Sequence, residues 1–401
     1  MNRCEDAVEE IDNDKFENLV DEIRKHLDSS RQNWLVGAGI SCNSKIPLMQ
    51  SLTKRIYDII NEDSTPPEQR EIYKSLSENL PSTAHVEHYL SHLGDLIALA
   101  QRAKDNKATI NNKSYSGDEL RALHCSIVKA IGNTVRYGYA DEEVGDLSKP
   151  IVEVKHHVKF ISALFKNREN LLDRSQLNFF TTNYDTLLED ALSLSRYKVV
   201  DGFSGGAVGF WSPKHEFYSE NNSNAIFLYK LHGSIDWHHH KDYGLVRVRY
   251  GTKYLADLDD IMIYPQATKY IETQRNPFAI LFDGLRNVLS KEENVLLTCG
   301  YSFGDEHINS EIELALQDEN NKTTVIAFIK ENTDDDDGVS VNTTLDKWLN
   351  NPIFGKRIYV AGEKGIYYNS TQVIPAPKDP LTLWMFSGLT DFLSTGVISN
   401  D

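Results

Sequence analysis

Four short apolar runs in this chain each end at a turn that carries glycine or a polar side chain. The runs end at residues 36, 182, 231 and 299, and the segments that follow begin with GAGIS, NYD, HGS and GYSFGD. Such runs between helical segments are typical of buried strands in a parallel sheet with helices on both faces. Ligands of these sheets bind beyond the carboxyl ends of the strands. We therefore predict an α/β fold with a Rossmann-like parallel sheet, and a site formed by the four turns.

The strand pattern is interrupted between the first run and the second. Successive helical stretches with almost no strand signal fill residues 48–173, and we expect a loop within them at residues 105–116, which are rich in Lys, Asn and Ser. We therefore predict an N-terminal helix for assembly or packing, a Rossmann-like core in two pieces, an inserted helical subdomain, and a C-terminal hairpin and helix extension. Their ranges are 1–30, 31–47 with 174–330, 48–173, and 331–401.

The formal net charge of −17 limits the partners of this chain, because an acidic surface repels phosphate backbones. We expect no direct nucleic-acid binding. The four cysteines are far apart and form no C-x-x-C pair, which argues against a thiolate zinc ribbon and a disulfide framework. The N-terminus is charged and polar, unlike a signal peptide, and no apolar run approaches the ~20 residues that span a bilayer. We expect a cytoplasmic protein without membrane association.

Two of the turns are rich in glycine. Gly37 and Gly39 would let the backbone approach a pyrophosphate, and the following helix N-terminus would attract its charge. Cys42 stands where the dinucleotide fingerprint has its third glycine, so a tight structural turn is an alternative explanation. The turn at residues 300–305 offers glycine and hydroxyl groups suited to a phosphate or a ribose, with the same alternative.

The other two turns carry side chains that can do chemistry. Asn183 can donate and accept hydrogen bonds with ribose hydroxyls or orient a water molecule. Asp185 either bonds within the site or caps the next helix. His232 can titrate near neutral pH and act as a general base, with Gly233 permitting close approach of a substrate. A structural role is the alternative for this lone histidine.

Other polar clusters have simpler explanations. His85, His88 and His92 share one face of a predicted helix, but no carboxylate stands where a metalloprotease needs its base, so we expect surface or interface residues. We expect the three histidines at residues 238–240 in a polar turn, and the four aspartates at residues 334–337 in a solvated loop. The sequence therefore predicts no metal site.

Taken in order, the four motifs resemble those of the sirtuin family. Sirtuin cores carry a Gly-Ala-Gly-Ile-Ser turn, a Thr-Gln-Asn-Ile-Asp segment, a catalytic His-Gly and a later Gly-Thr-Ser-type turn. The match covers the motif-bearing parts of residues 33–310, and the forms TTNYD, KLHGS and GYSFGD are similar to the sirtuin-like domains of bacterial anti-phage defence proteins. The resemblance implies a core that binds NAD as its substrate and needs no metal.

The resemblance also implies roles for single residues. His232 would be the catalytic base, and Asn183 would be the second catalytic residue, beside the nicotinamide ribose. The remaining contacts with NAD would come from Gly37, Ala38, Gly39 and Ser41 at the pyrophosphate, from Thr182 and Asp185 in the second motif, and from Gly300, Tyr301 and Ser302 toward the adenosine half.

Departures from the deacetylating sirtuins bear on the reaction. Those enzymes have a four-cysteine zinc ribbon after the His-Gly motif, and nothing of the kind follows His232. Thr182 replaces the usual Gln, and residues 47–49 (PLM) lack the usual Phe-Arg. These changes argue against an acyl-lysine cleft while the NAD motifs are kept. With water as the nucleophile, the resemblance implies an NAD+ glycohydrolase that releases nicotinamide and ADP-ribose.

In the resembling proteins such hydrolases deplete NAD during phage infection, which is a form of abortive infection. Free activity would poison the host, so we expect control by homo-oligomeric assembly or by a protein partner. A HerA-type hexameric ATPase is the first expectation, and a short Argonaute fits the compact size less well. The helix over residues 7–29 and the apolar helix around Trp384 are candidate contact surfaces, and packing on the core is their alternative role.

Three other functions stay open at this point. An NAD-dependent deacylase or ADP-ribosyltransferase would use an acceptor other than water. A non-catalytic module would sense NAD or ADP-ribose for a partner complex. A nuclease would act through a DNA-bound assembly, although the acidic chain and the lack of a carboxylate cluster at a predicted strand end argue against it.

Overall fold

The computed structural model describes residues 2–168, 176–218, 225–249, 258–263, 276–333, 339–377 and 380–398. In chain order the strands are β1 Gln32–Val36, β2 Lys107–Ile110, β3 Lys113–Ser116, β4 Tyr139–Ala140, β5 Glu143–Val144, β6 Asn178–Thr181, β7 Val199–Val200, β8 Phe203–Gly205, β9 Val208–Trp211, β10 Ile226–Lys230, β11 Gly233–His240, β12 Gly244–Val248, β13 Leu258–Ile263, β14 Val295–Cys299, β15 Thr324–Phe328, β16 Asn332–Thr333, β17 Val339–Ser340, β18 Ile358–Ala361, β19 Gly365–Tyr368 and β20 Ile374–Pro375. The helices are α1 Asn2–Leu27, α2 Met49–Asn61, α3 Pro67–Asn79, α4 Val86–Arg102, α5 Gly117–Tyr137, α6 Lys155–Arg168, α7 Leu187–Leu194, α8 Pro213–Phe217, α9 Phe278–Leu289, α10 Glu306–Gln317, α11 Thr343–Leu349 and α12 Phe386–Thr395. None of these helices is both long and apolar enough to cross a membrane.

A nine-stranded sheet forms the centre of the fold, in the order β20-β19-β18-β15-β14-β1-β6-β10-β7. The strands from β18 to β7 run parallel, and β19 and β20 add an antiparallel edge. The pairing of β18 with β19 confirms the predicted C-terminal hairpin. The sheet therefore confirms the α/β, Rossmann-like prediction.

The four strands that carry the motifs lie side by side and end together. Val36 of β1 is in register with Cys299 of β14 on one side and with Thr181 of β6 on the other. Thr181 is in turn in register with Lys230 of β10. The strand order reverses between β1 and β14, because the chain adds strands on one side of β1 first and then on the other side. Open α/β sheets bind ligands at such a point. The four turns thus meet at one edge.

Helices cover both faces of this sheet. On one face, apolar side chains from α1, α6, α7 and α12 pack on alternate residues of β1, β6 and β14. On the other face, α9, α10 and α11 pack on the intervening residues. Strands buried on both faces must be apolar throughout, which explains the continuous runs in the sequence.

The candidate contact helices α1 and α12 belong to this packing. Phe16, Ile23 and Leu27 of α1 and Leu389 and Phe392 of α12 are buried in one core with the main sheet. The alternative role that the sequence left open, packing on the core, accounts for these apolar faces.

Four of the helices between β1 and β6 form a second core beside the sheet. Buried side chains of α2, α3, α4 and α5 pack together, and Tyr184 and Ile235 from the motif-bearing turns join them. The loop expected at residues 105–116 is instead a hairpin of β2 and β3. Asn111 and Asn112 have φ values of 48° and 63°, so they form the left-handed two-residue turn that closes tight hairpins.

A second, five-stranded antiparallel sheet has the order β13-β11-β12-β9-β8; β8 and β9 precede β10 in the chain, and β11, β12 and β13 follow it. The strands β12 and β13 belong to this sheet and not to the main one. The prediction of a turn at residues 238–240 is wrong, because these histidines lie in β11, which pairs with both β12 and β13. Residues 334–337, expected as a solvated loop, lie outside the described residues.

Candidate active site

Side chains from the turns after β1 and β6 form a hydrogen-bonded group at the carboxyl edge of the sheet. Asn183 Nδ2 donates to Ser41 Oγ over 3.1 Å, and Ser41 Oγ donates to Asp185 Oδ2 over 2.8 Å. All three residues are buried. The structure thus brings together three of the residues that the sequence predicts for the site.

Asn183 is held in place through its backbone, which leaves its carboxamide for other contacts. Its backbone N–H donates to Thr181 Oγ1 over 3.0 Å, which bends the chain at the end of β6. The Oδ1 atom of Asn183 is buried and has no hydrogen-bond partner among the described residues. A buried carbonyl oxygen without a partner is costly. This atom is therefore a candidate acceptor for a ligand hydroxyl or a water.

Asp185 has both of the roles that the sequence left open. Its Oδ1 atom accepts from the backbone N–H of Leu187 over 3.0 Å, at the start of α7, and its Oδ2 atom accepts from Ser41. The carboxylate therefore orders the helix entry and fixes the Ser41 hydroxyl at the same time.

His232 lies in the neighbouring turn and pairs with a carboxylate that sequence reasoning did not select. Its Nε2 atom is 2.7 Å from Asp305 Oδ2, and both side chains are buried. Asp305 is the last residue of the GYSFGD motif, at the N-cap position of α10, but its side chain makes no cap hydrogen bond. The sequence contains one signal for Asp305, which is that its carboxylate follows β14 closely, at the same edge of the sheet as His232.

The two glycine turns pack directly against each other. The Gly37 N–H donates to the Cys299 carbonyl over 3.1 Å, and the Gly39 N–H donates to the Gly300 carbonyl over 3.0 Å. Gly300 has a φ of 64°, and a Cβ added to it would lie 2.5 Å from the backbone nitrogen of Ile40. This contact alone requires glycine, so the structural explanation applies to the turns whether or not they also bind a pyrophosphate.

The remaining predicted ligand-binding residues lie around these turns. Ala38 and Ser302 are exposed, and Thr182 is half-buried. Tyr301 is buried, and its hydroxyl donates to Asn309 Oδ1 over 3.0 Å inside the fold. The Tyr301 side chain thus holds its own turn, whereas Ala38, Thr182 and Ser302 are open to a ligand.

A buried ion pair lies behind the second motif. Lys230 Nζ donates to Glu189 Oε1 over 3.0 Å and also to the backbone carbonyl of Asp185. Burial opposes the charge on Lys230, but Glu189 and the nearby carboxylates raise its pKa above the ordinary value. Burial raises the pKa of Glu189 to about 7, although Lys230 opposes this shift. Lys230 therefore fixes the turn that carries Asp185.

The helical segment before β6 contacts the site through Tyr184. Its hydroxyl donates to Glu87 Oε1 of α4 over 2.6 Å, and both residues are buried. Burial and the Glu87 carboxylate raise the Tyr184 pKa well above its ordinary value, so the hydroxyl keeps its proton. The carbonyl of Tyr184 accepts from Ile235 N–H over 3.0 Å, which joins the second and third motifs.

A further histidine lies beside the hydrogen-bonded group of Ser41, Asn183 and Asp185, and the sequence does not predict it. His157 of α6 is completely buried, and its Nδ1 atom is 3.3 Å from Ser44 Oγ in the turn after β1. Burial lowers the His157 pKa to about 4, although Asp185 opposes this shift. His157 is therefore neutral at physiological pH.

The other polar clusters have structural roles. His85 and His88 form a reciprocal cap at the start of α4, with His88 Nδ1 accepting from the His85 N–H over 3.1 Å. No group of three or more potential metal ligands occurs in the described part of the chain.

Two cavities, of about 190 and 220 Å³, lie near the start of β6 and between α1 and α12. Neither cavity is lined by Ser41, Asn183 or Asp185.

In a comparison with known protein families, residues 177–351 match the SIR2-like domain. No curated protein matches the chain. The matched range contains Asn183, His232 and the turn after β14, whereas the turn after β1 precedes it. A SIR2-like domain implies NAD binding and NAD-related activity. The second, third and fourth of the four motifs, with the strands that carry them, therefore lie within the region that matches the SIR2-like domain.

Proposed function

We propose that this protein is an NAD+ glycohydrolase, which cleaves NAD+ to nicotinamide and ADP-ribose. The observation that carries the proposal is the meeting of the Asn183 and His232 turns at the carboxyl edge of a sheet within a SIR2-like domain. We place the nicotinamide ribose against Asn183 and His232, and the pyrophosphate along the turn at residues 37–41.

The side chains fit this substrate in their hydrogen-bonding chemistry. Ribose hydroxyls are donors as well as acceptors, and Asn183 Oδ1 is a buried acceptor without a partner among the described residues. Ser41 and Asp185 fix the carboxamide, because Ser41 Oγ accepts from Asn183 Nδ2 and donates to Asp185. The site therefore presents the Asn183 oxygen in one orientation, which favours one pose of the ribose.

The reaction breaks the bond between nicotinamide and the ribose carbon. Positive charge develops on the ribose, as in glycoside hydrolysis, and nicotinamide leaves with the bonding electron pair. His232 takes a proton from the attacking water as the water oxygen bonds to the same carbon. Asn183 orients the ribose hydroxyls or the water. Nicotinamide is a good leaving group, so no further acid is needed.

Water as the acceptor is supported by what surrounds His232. β11 begins at Gly233, directly after this residue, and contains no cysteine. The zinc ribbon with which deacetylating sirtuins shape their acyl-lysine cleft is therefore not encoded at this position. We propose that the site admits water instead of an acyl-lysine.

We further propose that NAD depletion by this protein serves anti-phage defence and is controlled by assembly or by a partner such as a HerA-type ATPase. Asn183 and His232 are buried in this conformation, so substrate entry requires groups at the sheet edge to move. The apolar faces of α1 and α12 pack internally, so we place the partner contact on other surfaces of the chain.

The test is NAD turnover by the purified chain and its variants. We expect nicotinamide and ADP-ribose in equal amounts by liquid chromatography, with kcat falling at least ~100-fold in Asn183→Ala and in His232→Ala. The matched controls are Asn43→Ala and His239→Ala, which alter an exposed residue of the turn after β1 and an exposed residue of β11 and should leave turnover unchanged.

Three results would overturn the proposal. Acyl transfer from an acylated peptide without hydrolysis in water would make the protein a deacylase. ADP-ribose attached to a protein acceptor would make it a transferase. Tight NAD or ADP-ribose binding without any turnover, together with intact phage protection in both site variants, would make it a sensing module.

A further inference from the structure

We propose that Asp305 is the positioning residue of His232, and that it makes Nδ1 the nitrogen that accepts the proton. The inference rests on the proposed function, because it assigns a role within the same reaction. Its starting observation is the distance of 2.7 Å between His232 Nε2 and Asp305 Oδ2, with both side chains buried.

The loop that carries Asp305 is fixed by its own hydrogen bonds. Tyr301 donates to Asn309 Oδ1 over 3.0 Å, and Asn309 Nδ2 donates to the carbonyl of Phe303 over 2.8 Å. All three residues are buried, and Phe303 has a φ of 57°, a strained conformation for an aromatic residue. Such a loop holds the carboxylate at a defined place, which a positioning residue requires.

Helix capping is the structural alternative for this aspartate. An aspartate at an N-cap ordinarily accepts from a backbone N–H two or three residues on. Asp305 occupies the N-cap of α10 without such a bond. Its carboxylate faces His232 instead, so the geometry favours a role toward the imidazole.

The chemical consequence follows from the protons of imidazole. Asp305 Oδ2 lies 2.7 Å from Nε2, so the negative charge of the carboxylate favours the form with the proton on Nε2. Nδ1 then carries the lone pair. When Nδ1 takes the proton of the attacking water, the ring becomes positively charged beside the carboxylate, which stabilises that charge.

The test combines kinetics with a tautomer measurement on the full chain. In Asp305→Asn we expect kcat to fall ~100-fold or more with KM for NAD changed less than about threefold, because the group acts on the chemical step. Asp305→Glu should recover part of the loss. The control is Glu306→Gln, which removes a neighbouring exposed carboxylate from the same helix start.

Nitrogen-15 NMR of histidine side chains gives a readout that helix capping would not move. The His232 signal is identified by its loss in His232→Gln. We expect the Nε2-protonated form in the wild type and a shift toward the Nδ1-protonated form in Asp305→Asn. Unchanged tautomers would refute the role of Asp305, and so would a kcat within threefold of wild type. If the wild type does not turn over NAD, the proposed function fails, and the tautomer alone still decides this inference.

Discussion

His157 offers a quantitative test of how the fold protects the site. This residue of α6 is buried against the turn after β1, with Ser44 Oγ 3.3 Å from its Nδ1 atom. The centroids of the His157 and Phe386 rings are 5.1 Å apart. Burial lowers its pKa from the ordinary 6.5 to about 4. The perturbation is His157→Gln, which keeps a polar side chain but removes the titration.

The sign of the effect follows from proton uptake. Between pH 6.5 and pH 4 the unfolded chain protonates this histidine and the folded chain does not, so stability falls as the pH falls through this window. Each factor of ten in proton affinity is worth about 1.4 kcal/mol. The full loss is therefore roughly 3 kcal/mol, most of which has been lost by pH 4.5.

Two measurements check this value. Hydrogen–deuterium exchange at the imidazole C2 position, followed by mass spectrometry, reports the pKa of His157 directly. Urea unfolding at pH 7 and at pH 4.5 should show a smaller loss of stability in His157→Gln than in the wild type, by roughly 2 kcal/mol. His156→Gln is the matched control, because this neighbour is half-buried and pairs with Glu153 at the surface.

A pKa of His157 near 6.5, or the same pH dependence in both proteins, would refute the reasoning. The first result would mean that water reaches the ring in the folded state. The second would mean that other groups carry the acid sensitivity.

Two further predictions concern the contacts that build the site. Gly300→Ala should lower the unfolding free energy by more than ~3 kcal/mol and abolish NAD turnover. The reason is that φ of Gly300 is 64° and the new Cβ would lie 2.5 Å from the facing backbone. Thermal unfolding with normal stability would contradict this. Tyr184→Phe should lower the unfolding free energy by about 1.5–3 kcal/mol, because the buried Glu87 carboxylate loses this donor. The double variant with Glu87→Gln should lose less unfolding free energy than the two single variants together. Additive losses in that cycle would show that the contact is not stabilising.

The parts of the fold that the sequence predicts well are those with a strong local signal. β1, β6, β10 and β14 are buried on both faces, so each is a continuous apolar run that ends at a recognisable turn. Ser41, Asn183 and Asp185 follow two of these strands directly, and parallel neighbours place them at one edge. Their meeting could therefore be expected before any coordinates.

The parts that the sequence does not predict depend on contacts between distant segments. Asp305 and His232 stand in different motifs, and nothing local indicates that their side chains meet. Glu87 and His157 are single polar residues on amphipathic helices, where a solvated surface position is the ordinary expectation. Their burial follows from how the helices pack around the sheet edge.

The sequence does not predict the strand at residues 238–240 for a related reason. β11 begins at Gly233, three residues after Lys230 ends β10 of the main sheet, and its histidine run has the composition of a turn. Pairing with β12 and β13 overrides that composition, as it commonly does for strands.

The central claim is that the edge formed by the four turns binds NAD for cleavage, and a structure of the His232→Ala variant with NAD tests it most directly. We expect the nicotinamide ribose within about 3.5 Å of Asn183, and the pyrophosphate against residues 37–41. NAD bound away from the carboxyl ends of β1 and β6, or no binding at saturating concentration, would show that these turns are not the NAD site.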